Sequence, residues 1–258
     1  MTGWGGVILT GFGSSPVDTH RLRAVYAARS FLHHCHVTYV AGRAVSKESM
    51  VDGIGERTGA KTRRGQAMRE ILLSSAIKLI ALQGYAATST QAVLDDAGVS
   101  RGSLLHQFPT RDLLVAAAGE EAMVRMMGSV EAGLLRHGDL LRGLMDFPNI
   151  LWRVQNDLPA RALTEIQLAS RWDPLLEEGL RRAMANVNSL TSAKVMTVAE
   201  QYGLSDLSGL LTEIYLLISA TQGLAIGRDL IGDKVLTTAS LALLKERFVS
   251  AVKARMPV

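Results

Sequence analysis

Three groups of residues in this 258-residue chain carry side chains suited to chemistry. His33, His34, Cys35 and His36 hold metal-ligating atoms. Four consecutive ligands lack the spaced pairs that close a tetrahedral site, so the segment reads as solvated chain with no metal. Gly11-Phe12-Gly13-Ser14-Ser15 is glycine-rich, but it lacks the Lys-Ser/Thr ending with which a P-loop holds phosphates. The third group is Ala97-Gly98-Val99-Ser100 followed by Arg101, Ser103 and His106. A glycine to take the turn, a valine to fill the space between helices and a serine to cap the next one describe a helix-turn-helix. Its second short helix faces outward, where it can enter a major groove while nearby cations meet phosphates.

Charge supports that reading. From Lys61 to Arg111 there are seven basic residues and three acids, a balance of +4 that equals the net charge of the whole chain. A DNA-facing unit needs such an excess. Paired carboxylates with supporting context are missing, so the reading is of a protein that is not an enzyme and uses no cofactor.

The elements that must position these residues are helices. Leu72, Ala76, Leu79 and Ile80 share one face of a helix predicted from about Arg64 to Gln83, which Gly84 ends. Thr88 and Gln91 are spaced as a capping box for a second helix. Ser100 caps a third, about Arg101 to Gln107, stopped by Pro109, and Thr110 caps a long fourth. Further on, Asp146 with Pro148 marks a start and Leu158-Pro159 a break. Asp173-Pro174 opens a helix reaching about Gln201, Gly203 closes it, and Asp206 opens the next. That helix carries a stripe of Leu207, Leu210, Leu211, Ile214, Leu217, Ile218 and Thr221. The last helix bears Leu241, Leu244, Phe248 and Val252.

In order and spacing, residues 64–114 resemble the TetR family of transcriptional regulators. The likeness runs from Ile71-Leu72-Leu73 to Gly84-Tyr85, then through Thr88-Ser89-Thr90, Ala97-Gly98-Val99-Ser100 and Gly102-Ser103-Leu104. It closes on Phe108-Pro109-Thr110-Arg111-Asp112-Leu113-Leu114. The resemblance implies an all-α fold, with a three-helix helix-turn-helix domain (residues 61–110) ahead of a helical effector-binding and dimerisation domain (residues 111–258). It implies a sequence-specific regulator that binds double-stranded operator DNA, here read as a repressor released by a small apolar effector. The alternative is a helical small-molecule-binding protein whose helix-turn-helix no longer binds DNA, with a helical enzyme a more remote option.

By the same resemblance, Arg101, Gly102, Ser103 and His106 lie on the exposed side of the recognition helix, with Arg101 able to donate bidentately to guanine. Thr90 and Gln91 match positions that meet the DNA backbone. Arg111 stands where a lysine is usual and is expected to keep a phosphate contact. Leu105 stands where a tyrosine is typical, and Gln107 where a histidine is common. Arg63 and Arg64 read as a basic arm reaching phosphates or the minor groove. Phe108, Tyr85, Leu104 and Val99 read as core.

For the second domain the expectations are an apolar effector between residues 115 and 205 and a homodimer through the last two helices, built on the two apolar sets named above. Arg153, Gln155, Glu165 and Gln167 are candidate orienting groups. Met123, Met126, Met127 and Met145 are candidates for a pliable lining, and His137, Trp152, Trp172, Tyr202 and Tyr215 for an aromatic one.

Composition excludes other classes. The chain is 48% hydrophobic and 20% charged, too apolar for wholesale disorder, and its single cysteine cannot form an internal disulfide. The longest late uncharged run, between Glu213 and Arg228, has 14 residues and is broken by Ser219, Thr221 and Gln222. No membrane span is therefore expected, and the location is read as cytoplasmic. Residues 1 to about 60 follow no sustained period, apart from a possible short helix at 22–32 and a strand stub at 37–40. They are expected to do no folding work, and Met50 is a natural translation start.

Overall fold

The computed structural model describes residues 55–231 and 234–257, and among these every regular element is a helix. In chain order they are α1 (Gly55–Gln83), α2 (Thr90–Ala97), α3 (Arg101–Gln107), α4 (Arg111–Leu135), α5 (Leu140–Met145), α6 (Phe147–Gln155), α7 (Leu158–Ser170), α8 (Pro174–Tyr202), α9 (Leu207–Ile231) and α10 (Lys234–Lys253). The possible helix at 22–32, the strand stub, the His/Cys cluster and the glycine-rich run at 11–15 lie outside the described residues.

Two expectations about the start of the domain change. Helix α1 begins at Gly55, so residues 55–60 are not part of an unstructured extension. It also runs through Arg63 and Arg64, which are exposed helical positions and not an extended arm. Nothing in the sequence from Gly55 to Arg64 breaks a helix, and the intervening Gly59 only weakens one.

The caps are local chemistry. The Ser100 Oγ accepts from the Ser103 N–H, Thr110 Oγ1 from Leu113 and Asp173 from both Leu175 and Leu176, as the sequence predicts. Helix α2 is capped one residue later than the capping-box spacing suggests: Ser89 Oγ accepts from the Ala92 N–H at 3.1 Å. Thr88 is buried, and its hydroxyl donates back to the Gly84 carbonyl at 2.9 Å.

Two apolar cores follow. In the first, Leu72, Ala76 and Ile80 of α1 meet Val93, Leu104 and Phe108 of the helix-turn-helix. It continues without interruption into Leu114, Val115 and Ala118 of α4 and Leu163 and Ile166 of α7. This core crosses the expected domain boundary at residue 110, so the first half of α4 packs with both parts. The second core joins Leu144, Phe147 and Leu151 to Leu210, Ile214 and Leu217 of α9 and to Phe248 and Val252 of α10. Helices α4 and α6 meet at Gly133, where a Cβ would sit 2.7 Å from Ile150 Cγ2. Only a glycine lets these two helices meet there.

The α9 stripe therefore has a different role from the one its breadth suggests. Leu210, Ile214, Leu217 and Thr221 are buried inside this chain, as are Phe248 and Val252. The same apolar content makes Leu207–Arg228 long and apolar enough to cross a membrane by length and composition, with a mean hydropathy of 1.4. Counting only the uncharged run missed this, because a hydropathy window tolerates Glu213.

Candidate nucleic-acid interface and internal cavity

Helix α3 is held against α1 by its inner face and presents the outer one. Leu104 and Phe108 point into the first core, while Arg101, Gly102, Leu105 and His106 are exposed. Gly98 makes the turn in the left-handed region, at φ 64° and ψ 33°, which a β-carbon would strain. Ser103 is half-buried, and its hydroxyl lies 3.0 Å from that of Ser100. It is thus partly engaged in the cap.

Two side-chain sets fix the orientation of the motif. Asp96 of α2 accepts from Ser75 Oγ at 2.8 Å and Lys78 Nζ at 2.5 Å on α1. The Lys78 hydrogen bond and then that of Ser75 hold the Asp96 carboxyl below its ordinary range. On the other side, Gln107 Nε2 donates to the Gly65 carbonyl at 3.1 Å, and the Arg69 guanidinium stacks 4.7 Å from the Phe108 ring centroid. Gln107 thus ties α3 to α1.

Thr90 is half-buried at the first turn of α2, and Gln91 is exposed beside it, donating to Asp95 Oδ1 at 2.8 Å. Arg111, expected to contact a phosphate, is engaged within the chain. Its Nε donates to the Thr88 carbonyl at 3.0 Å and its Nη2 to the Tyr85 carbonyl at 2.6 Å. The guanidinium also lies 4.3 Å from the Tyr85 ring centroid. Arg111 therefore clamps the loop that leads into α2. From the opposite side, Glu165 of α7 accepts from the Tyr85 N–H at 3.3 Å. Glu165, expected as an orienting group for a ligand, instead joins α7 to the helix-turn-helix.

The second half of the chain holds a partly open cavity of about 210 Å³ between α4, α5, α6, α7, α8 and α9. Met123, Met126, Met127, Phe147, Leu163 and Ile214 are among its lining residues. Of the aromatic candidates only Tyr215 lines it. His137 pairs with Asp146 at 3.2 Å, Tyr202 donates to Asp139 at 2.6 Å, Trp152 borders a separate polar hollow, and Trp172 is 86% exposed. Met145 packs against the second core instead. Of the candidate orienting groups, Gln155 and Gln167 face the cavity, whereas Arg153 lies 3.9 Å from Asp146 and borders the polar hollow. Four α9 residues, among them Gln222, complete the wall, so the cavity extends beyond residue 205. Periodicity alone gives no signal for them, since α9 is apolar on several sides.

Among the described residues, no cluster of three His, Cys, Asp or Glu side chains is placed to hold a metal ion. Residues 72–118 match the family described as bacterial regulatory proteins, tetR family. Among solved structures, a TetR transcription regulator from Haloarcula marismortui aligns with a TM-score of 0.57 at 16% identity, over 74% of this chain and 100% of its own. A transcriptional regulator from Rhodococcus sp. RHA1 aligns with a TM-score of 0.56 at 22% identity, over 74% of this chain and 98% of its own. These two likenesses show the fold. No curated protein sequence matches the chain.

Proposed function

From the match of residues 72–118 to the TetR family and the fold shared with TetR regulators, we propose that the chain is a TetR-type DNA-binding regulator, a cytoplasmic, homodimeric repressor released from its operator by a small apolar effector. The observation that carries the reading is the outer face of α3. Arg101, Gly102, Leu105 and His106 are exposed there, while Leu104 and Gln107 anchor the helix. Arg101 suits a guanine edge, and Leu105, 46% exposed where a tyrosine is typical, suits a thymine methyl. Gly102 allows close approach, and Ser103 and His106 are within the reach of base edges or phosphates. Thr90 and Gln91 meet the backbone at the start of α2. Arg111 serves that contact indirectly, by holding the loop before Thr90.

The dimer is proposed through α9 and α10, but on residues other than the buried stripe. On α9, Leu216, Ser219, Gly223 and Ile226 are exposed at spacings of three and four; on α10, so are Leu236, Ala239 and Leu243. Each set lies along one side of its helix. Small and apolar residues on the outer side of two packed helices suit a four-helix bundle between two copies.

Helix α7 supports effector coupling. It lines the cavity with Leu163 and Gln167, and its Glu165 holds Tyr85 beside the helix-turn-helix. A ligand that displaces α7 therefore shifts the loop that positions α2. Gel-shift binding to the promoter region beside its own gene tests the function. Specific retardation is expected, and binding no tighter than to random DNA would leave the alternative, a small-molecule-binding helical protein.

A further inference from the structure

We propose that the ligand of the internal cavity is an uncharged, largely apolar molecule of one to two rings carrying a single hydroxyl, and that Gln155 is the residue that recognises it. The proposal rests on the effector reading above and specifies its chemistry. Gln155 ends α6, is 7% exposed and lines the cavity. No hydrogen bond within the chain engages its side-chain amide, and because no sealed side-chain N or O among the described residues lacks a partner, that amide is open to the cavity. An amide turned into a mostly apolar cavity is the kind of polar group that orients a bound ligand. An amide offers both a donor and an acceptor, and a hydroxyl answers either.

The other polar groups on the wall favour an uncharged ligand. Gln222 Nε2 is already satisfied by Gln167 Oε1 at 3.0 Å. Asn188 and Thr191 of α8 are neutral. Lys194 is the only ionisable cation on the wall; it is exposed and paired with Glu131 at 2.6 Å. A carboxylate beside Gln155 would therefore be desolvated without a counter-charge. Size points the same way: about 150 Å³ holds benzene, and this cavity has about 210 Å³.

The test is calorimetric titration of the full chain with naphthalene, 2-naphthol and 2-naphthoate, which share one skeleton. Wild type is expected to bind 2-naphthol about three- to tenfold tighter than naphthalene, the worth of one neutral hydrogen bond. 2-Naphthoate is expected to bind at least about tenfold weaker than 2-naphthol. Gln155→Leu should remove the preference for the naphthol while leaving naphthalene affinity within about twofold, which also shows that the variant folds. Tightest binding by 2-naphthoate, lost in Lys194→Ala, would overturn the proposal. So would equal loss of both neutral ligands in Gln155→Leu, or binding of none of the three. Gel shifts with the same compounds separate the two readings. 2-Naphthoate that binds and frees DNA refutes the ligand class alone, and 2-naphthol that binds without freeing DNA refutes effector release alone.

Discussion

Replacing Arg111 by alanine separates a clamp from a phosphate contact. The side chain makes two hydrogen bonds to carbonyls, at 3.0 and 2.6 Å, and one ring contact at 4.3 Å. Hydrogen bonds from a charged donor are worth about 1.5–3 kcal/mol each when buried, and an exposed cation–π contact about 0.5–1 kcal/mol. Arg111 is half-buried, and discounting for solvent leaves a loss of roughly 2–3 kcal/mol. In a chain of this size that lowers the melting temperature by about 5–10 °C. Arg111→Lys should recover less than half, because an ammonium cannot reproduce the guanidinium fork. DNA affinity falls as well, since the loop before Thr90 loosens. The slope of log affinity against log salt should change by less than about half a unit, because no phosphate contact is removed. Thermal melts and salt-titrated binding measure both quantities. An unchanged melting temperature with a slope flatter by about one unit would refute the clamp and restore the phosphate role.

Acid should act in part through Asp139, whose carboxyl lies below its ordinary value of 3.8 because of the Tyr202 hydroxyl and then the Leu141 N–H. This stabilisation is complete above the ordinary value and is lost as pH falls through the lowered one, so Asp139→Asn should flatten the acid side of a plot of melting temperature against pH. The same contact raises the Tyr202 hydroxyl above 10.0, so its contribution is complete below that value and fades as pH rises through the raised one. Leu216→Arg combined with Leu243→Arg should turn a dimer into a monomer at micromolar concentration by sedimentation, with helix content unchanged in circular dichroism. A dimer that survives both changes would move the interface off this face.

Much of the fold was legible because caps and stops are local. Ser100, Thr110, Asp173 and Gly203 each do what their neighbours in sequence require. The α2 cap was misread because Thr88 and Ser89 both suit the role, and burial of Thr88 against the Gly84 carbonyl decides between them. That is a tertiary fact. Arg111 was assigned by position, and nothing in sequence reveals that Tyr85 and Thr88 turn their carbonyls toward it. The α9 stripe was recognised, but apolar residues lie on several sides of this helix. Periodicity cannot say which side meets α6 and which faces outward. Gln155 was named among four polar candidates, and it is the one of them that is both buried and on the cavity wall. The outer face of α3 was expected from the family resemblance: Arg101, Gly102 and His106 are exposed, whereas Ser103 is half-buried.

The measurement that bears most directly on the central claim is binding of wild type and Arg101→Ala to the promoter fragment and to random DNA across a range of salt. Wild type should prefer the promoter fragment, with an affinity that falls steeply with salt. Arg101→Ala should lose about 1–3 kcal/mol on that fragment while its affinity for random DNA changes little. Equal affinity of both proteins for the promoter fragment would contradict the assignment of α3 as the reading helix and of Arg101 as its guanine contact.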